Sequence, residues 1–334
     1  MNPAPAEAVR NTRSAAENKS GRPDAPAFIL AWEVTRRCSL RCRHCRGAAR
    51  DLAYAGEFST EECFRTIDAL AEFARPMIIL TGGEPLMRSD IHEIARYAVD
   101  HGCRVVLATC GHLLTADLAR ELKRAGVAAI SVSLDAAMPS VHDDFRGVPG
   151  AFEKTVQALG HLRAEGIPFQ VNVTVSLLNV HELAEIQSLA IGFGASTVDY
   201  FFLVPSGRGA GMADLALPPE ARDRALAWIA LQVGKAPVRV KTTCAPQYHR
   251  FVDDPHFRGC MGGRGFVFLS HPGILQPCGF LDVPCGDVRA ADFDVARLYR
   301  ESAVFKDLRM LDALAGCPAR AYARSGCYMA GEEC

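Results

Sequence analysis

From residue 28 to about 204 the chain alternates short apolar runs with amphipathic stretches, and this alternation limits the fold more than any other feature. The apolar runs predict strands over 28–34, 77–81, 104–109, 129–134, 169–175 and 198–204. The clearest helix starts after Ser59. Ser59 and Glu62 form a capping box ahead of an apolar stripe through Cys63, Ile67, Leu70 and Phe73. Helical spacing recurs over 90–100, 116–125, 151–165, 180–191 and 219–233. Repeated strand–helix units imply parallel strands joined by right-handed crossovers. Periodicity alone leaves an open doubly wound sheet and a barrel equally available.

Directly after the first apolar run comes Cys38-Ser39-Leu40-Arg41-Cys42-Arg43-His44-Cys45. Three thiolates on one tight loop suit three irons of a cubane cluster and leave the fourth iron open to a small chelating ligand. Zinc normally takes four protein ligands, often as two CxxC pairs, and three neighbouring thiols cannot all pair as disulfides. The net charge of −1 offers no general attraction to nucleic acid or to an anionic membrane. No apolar run is long enough to span a bilayer, and residues 1–26 lack the apolar segment of a secretory signal, so they read as a mobile arm. Thirteen cysteines in a chain of 334 residues without visible export signals fit a reducing cytoplasm with metal-bound thiolates.

The CxxxCxxC loop resembles the signature of the radical S-adenosylmethionine (radical SAM) enzymes. The resemblance implies a 4Fe–4S cluster on Cys38, Cys42 and Cys45 whose open iron binds SAM, giving a 5′-deoxyadenosyl radical. It also decides the fold question, for an α/β partial (β/α)6 TIM-like barrel with its active-site loops at the strands' C-terminal ends. Gly82-Gly83-Glu84-Pro85 after the second strand resembles the family's GGEP motif, which helps hold the SAM amino group. Ser133, Asp135, Arg146 and Asn172 resemble positions that meet the SAM ribose or carboxylate. His44 stands where the family usually has an aromatic residue, and Cys110-Gly111 where relatives commonly carry Asn-Gly. Cys63 and Cys103 read as core thiols. Arg208, in the glycine-rich stretch after the sixth strand, is placed for an anionic ligand.

A second cysteine-rich region follows residue 235. Cys260, the run Phe266–Leu269, Gly273 and Cys278 predict a hairpin that brings two thiols to one end. This resembles the SPASM or twitch extension, which binds an auxiliary iron–sulfur cluster; the expected ligands are Cys244, Cys260, Cys278 and Cys317, with Cys285, Cys327 and Cys334 as alternatives. Zinc is the other occupant that four thiolates suit. The expected organisation is an arm over 1–26, a radical SAM core over 27–235 and a small auxiliary-cluster domain over 236–334. Ala31-Trp32-Glu33-Val34-Thr35, Thr243-Cys244-Ala245-Pro246, Gln276-Pro277-Cys278-Gly279-Phe280 and Cys317-Pro318-Ala319-Arg320-Ala321-Tyr322 are similar to the tetrapyrrole-modifying branch. That branch implies decarboxylation of iron-coproporphyrin propionates to haem b, with a reducing electron donor, and Arg208, Arg264 and His271 as candidates to pair with propionates. The CxxC-x5-C run that relatives carry before the position of Cys317 is missing, so one auxiliary cluster is expected, not two. A peptide-modifying radical SAM enzyme is the alternative, with a peptide as partner. A non-catalytic iron–sulfur or haem carrier is a third reading, against which the GGEP motif argues.

Overall fold

The computed structural model describes residues 28–253 and 259–310. The arm expected over 1–26 and the thiols of Cys317, Cys327 and Cys334 lie outside the described residues. The architecture is one sheet of ten strands flanked by helices. Strands β1 (Ile29–Thr35), β2 (Met77–Gly82), β3 (Arg104–Thr109), β4 (Ala129–Ser133), β5 (Phe169–Val175), β6 (Thr197–Phe202) and β7 (Arg239–Thr243) follow one another, all parallel. On the other side of β1 lies β8 (Phe266–Leu269), parallel to it in the register Trp32↔Leu269. β9 (Ile274–Gln276) and β10 (Gly286–Asp287) complete that edge antiparallel. The sheet is open among the described residues. β7 and β8, both beyond residue 235, belong to it, so the expected domain boundary falls inside one continuous sheet.

Local chemistry explains the framework. Helix α1 (Thr60–Phe73) starts at the capping box: the Ser59 hydroxyl accepts from the Glu62 N–H at 3.2 Å, and the Ser59 N–H donates to the Glu62 carboxylate at 2.9 Å. Its buried stripe is Cys63, Thr66, Ile67, Leu70 and Phe73, so Cys63 is a core thiol, as is Cys103. Helices α2 (Ile91–Asp100), α3 (Ala116–Arg124), α5 (Ala151–Ala164), α6 (Leu183–Phe193) and α7 (Pro219–Gln232) match the predicted segments within a few residues. Helix α4 (Pro139–Arg146) has no counterpart in the expectations.

Along β5 the burial alternates. Phe169, Val171, Val173 and Val175 are buried on one face, whereas Gln170, Asn172 and Thr174 are half-buried on the other. That second face continues across β6 and β7 as a polar layer. Asp199 pairs with Lys241 at 2.8 Å and accepts from the Thr243 hydroxyl at 3.0 Å, while Gln170 donates to Asn172 at 2.6 Å.

Glu33, at 1% exposure, joins the two ends of the chain. It accepts from Arg36 at 3.0 and 3.1 Å, pairs with Arg46 at 3.5 Å, and receives the His271 backbone N–H at 3.3 Å beside the His271 ring at 3.2 Å. Burial alone would raise its pKa, but His271, Arg46 and Arg36 together hold it at about 2 against an ordinary 4.5. Glu62, bonded to Arg289, is likewise held at about 2. A depressed carboxylate stabilises the fold above its unfolded pKa, and that stability is lost as pH falls through the folded value. Resistance to urea unfolding should therefore fall as pH drops from about 4.5 toward 2. Glu33→Gln should cost about 2 kcal/mol at neutral pH and flatten the acid limb of that profile.

Candidate active site

The loop that carries Cys38, Cys42 and Cys45 leaves β1 at its C-terminal end and returns on itself, with the Cys38 N–H donating to the Arg50 carbonyl at 3.0 Å. Cys38 and Cys42 are buried and Cys45 is half-buried. Each sulfur receives one donor. The Leu40 N–H reaches Cys38 Sγ at 3.4 Å, the Ala49 N–H reaches Cys45 Sγ at 3.3 Å, and Arg146 Nη1 lies 3.8 Å from Cys42 Sγ. The turn that aims Ala49 passes through Ala48 in a left-handed conformation, φ 48°. Burial pushes the Cys38 thiol up to about 12 and raises that of Cys42 as well, so thiolates here call for cationic ligands beyond one donor each. Among the described residues, no three Cys, His, Asp or Glu side chains converge as a single metal ion requires. Three sulfurs on one loop, each with its own donor, suit a cubane, in which each thiolate takes its own iron.

Three neighbouring segments hold the loop. The first is the GGEP stretch. The Gly83 N–H donates to Thr35 O and the Glu84 N–H to Arg37 O, both at 2.8 Å. A side chain on Gly82 would lie 2.1 Å from Thr35 O, and one on Gly83 would lie 2.4 Å from the carbonyls of Arg36 and Arg37. Only glycine admits this approach. Pro85 opens a short 3₁₀ turn whose Leu86 N–H donates to Glu84 at 3.1 Å. Glu84 is wholly buried and also accepts from the Thr109 hydroxyl at 2.8 Å and the Cys110 N–H at 2.8 Å.

The second is the end of α4. The N–H groups of Arg41 and Arg43 donate to the carbonyls of Arg146 and Phe145 at 3.2 and 2.9 Å. His44 stacks on Phe145 with centroids 4.2 Å apart, and burial followed by the Arg146 charge keeps its imidazole neutral, well below its usual range. Arg146 Nη2 sits 2.7 Å from Asp135, whose other oxygen accepts from the Thr174 N–H at 2.8 Å. Burial works against the Arg146 charge, but Asp135 and the sulfurs of Cys42 and Cys110 raise its pKa. Ser133 and Asn172 face each other across β4 and β5 in register, one pleat below this pair.

The third is the glycine-rich stretch after β6. The Arg208 N–H donates to Cys45 O at 3.0 Å, Nε to Cys42 O at 2.8 Å and Nη2 to Ala49 O at 2.9 Å. Arg208 is expected from sequence near an anionic ligand; in the structure its Nε and Nη2 are committed to carbonyls of the cysteine loop. His271, expected at a propionate, is bonded to Glu33. Arg264 keeps its Nη1 enclosed and without a partner.

In the C-terminal part, β8 and β9 form the predicted hairpin, and Cys260 Sγ and Cys278 Cβ both lie 3.6 Å from the position a Gly262 side chain would take. Cys244 follows β7 with φ 58°. Cys285, considered an alternative ligand, packs instead in the main hydrophobic core. None of the ten described cysteines is in a disulfide. Sequence reasoning missed α4 and the Arg208 clamp. Pro139 at the start and Gly147 just past the end were the available signals for the helix.

The Radical SAM superfamily pattern matches residues 32–190. The chain is 40% identical to the "AdoMet-dependent heme synthase" of Nitratidesulfovibrio vulgaris over 91% of its own length and 90% of the relative's. It is also 40% identical to the protein of the same name from Methanosarcina barkeri, over 91% and 95%. Among solved structures, Streptococcus suis SuiB bound to S-adenosylmethionine shares the fold, with a TM-score of 0.69 over 92% of this chain and 72% of that one at 13% identity.

Gly207 offers a direct test of the clamp. Its φ is +56°, and a side chain there would meet Arg46 O at 1.9 Å. Gly207→Ala should cost about 1–3 kcal/mol locally and lower the iron retained after desalting several-fold, while far-ultraviolet circular dichroism stays unchanged.

Proposed function

This chain belongs to the radical SAM superfamily, in the family of the AdoMet-dependent haem synthases, and we propose that it decarboxylates propionate side chains of an iron-coproporphyrin to give haem b. It is an enzyme of the radical SAM class. The observation that carries the reading is the donor set of the cysteine loop: three sulfurs with one hydrogen bond each, beside Glu84 and Arg146. Cys38, Cys42 and Cys45 would hold three irons of a 4Fe–4S cluster, and the bound cluster with SAM supplies a 5′-deoxyadenosyl radical.

This chain's own groups then have distinct tasks. Arg146, locked to Asp135, places a permanent positive charge against Cys42. Glu84, bonded to Leu86, Thr109 and Cys110, ties the stretches after β2 and β3 together beside the cysteine loop, and the GGEP stretch it belongs to would hold the SAM amino group. Ser133 and Asn172 extend that surface over the polar face of the sheet, where they suit the ribose. Arg264, with an enclosed Nη1 lacking a partner, suits a propionate carboxylate. Cys244, Cys260, Cys278 and Cys317 are assigned to one auxiliary iron–sulfur cluster, supported by the approach of Cys260 to Cys278. Cys317 lies outside the described residues. That cluster would take up the electron left when a propionate becomes a vinyl group, and a reducing donor starts the cycle. A chain with thirteen cysteines, none of the ten described ones in a disulfide, suits the cytoplasm; among the described residues no helix is long and apolar enough to cross a membrane.

Protein reconstituted anaerobically and given SAM, a reductant and iron-coproporphyrin III should yield haem b and 5′-deoxyadenosine in chromatographic assay. Unchanged porphyrin alongside 5′-deoxyadenosine would overturn the substrate and leave the radical chemistry. Turnover of a short peptide instead would favour the maturase reading. Iron and sulfide analysis should find about two clusters per chain in the wild type and about one in Cys278→Ala.

A further inference from the structure

Four polar residues share one row of the sheet. Ser133 on β4 pairs in register with Asn172 on β5, Asn172 with Asp199 on β6, and Asp199 with Lys241 on β7. Cross-strand partners project from the same face, so the row runs unbroken from the pair that suits the ribose to the last parallel strand. The opposite face of these strands is filled. Val171, Val198, Tyr200 and Val240 are buried there, and the Tyr200 hydroxyl reaches Leu183 O and Gln187 of α6 at 3.4 and 3.1 Å. On the polar face Gln170, Asn172, Thr174, Phe201, Lys241 and Thr243 are only half-buried, so among the described residues no packed layer covers them.

The two charges in this row are treated differently. The Asp199 side chain is 1% exposed and well supplied: the Thr243 hydroxyl lies 3.0 and 3.1 Å from its two oxygens, Gln170 donates at 3.3 Å and Lys241 Nζ sits at 2.8 Å. The Lys241 side chain is 37% exposed, and an ammonium carries three donors, of which Asp199 engages one side. A buried ion pair adds little stability that apolar residues of the same volume would not. What this pair does achieve is a lysine held in one place with its charged head toward the open face.

We propose that Lys241 binds a carboxylate of the substrate and that Asp199, acting through it, is its positioning residue. This rests on the tetrapyrrole reading above and names the end of the sheet where the substrate is anchored. The carboxylate held is one that stays. Loss of carbon dioxide removes a negative charge, so a cation on the reacting propionate would favour the bound state over the transition state, whereas a cation on a neighbouring propionate holds the ring without that cost. The spacing agrees: with strands about 4.8 Å apart, Lys241 lies about 10 Å across the row from Asn172, so one flat ligand meets the ammonium and the ribose with different parts. Arg264 precedes β8, and the two cations therefore bracket the whole run of parallel strands from β8 to β7.

Anaerobically reconstituted enzyme is titrated with iron-coproporphyrin III, without SAM or reductant, and the porphyrin absorbance is followed. Lys241→Met should bind about tenfold more weakly than wild type, and so should Asp199→Asn/Lys241→Met, which leaves no buried charge unpaired. Lys241→Arg, which keeps the charge, should bind as wild type does. Added sodium chloride should weaken binding to wild type more steeply than binding to Lys241→Met. A wild type that does not take up the porphyrin overturns the substrate reading and the proposal together. Equal affinity in wild type and Lys241→Met overturns this proposal alone and leaves the ion pair a structural one. A loss shared by Lys241→Arg overturns it as well, since packing rather than charge would then be what matters. Should Lys241→Met fail to fold, the double variant decides on the same terms.

Discussion

Taking sulfur out of water is the cost around which this molecule is arranged. A thiolate in a dry site is unfavourable unless positive charge or hydrogen-bond donors replace its hydration. The cysteine loop meets this with two backbone N–H groups and one guanidinium, one to each sulfur. Those donors are effective only if the loop keeps its shape. That requirement explains why the GGEP backbone, the end of α4 and the Arg208 clamp all bond to main-chain atoms of the loop or of its entry. Few of the contacts described here are between side chains on the surface, where ion pairs contribute little.

The frame was legible because its inner strands are apolar runs bounded by turns. β3 and β5 have the bounds read from sequence, and the capping box at Ser59 is present as expected. β7 was harder to see because Arg239–Thr243 contributes Lys241 and Thr243 to the polar face, so its pattern is not that of a buried strand. Helix α4 is eight residues long, and its inward side chains are His142, Phe145 and Arg146. Two of those are polar and are matched by tertiary partners, which no local pattern reveals.

Within the site, sequence identified the residue types better than their tasks. Asp135 and Arg146 were chosen as direct cofactor contacts, and they occur together, paired with each other and beside Cys42. Arg208 and His271 looked available to an anion because a sequence does not display backbone carbonyls or a carboxylate from a distant strand. Their partners are Cys42, Ala49 and Glu33, far away along the chain. A basic residue near an active site is often already committed to holding it, and only the fold shows which ones are.

The parallel pairing of β8 with β1 has a consequence for biosynthesis. Chains emerge from the ribosome N-terminus first, so β1 and the cysteine loop appear early, while the strand that seals their open flank is made near the end. Until Leu269 and His271 have been synthesised, Trp32 lacks one neighbouring strand and Glu33 lacks one of its three partners. Before β8 is made, the cysteine loop stands beside a half-walled cradle, so its full enclosure is a property of the folded chain and not of its N-terminal part alone.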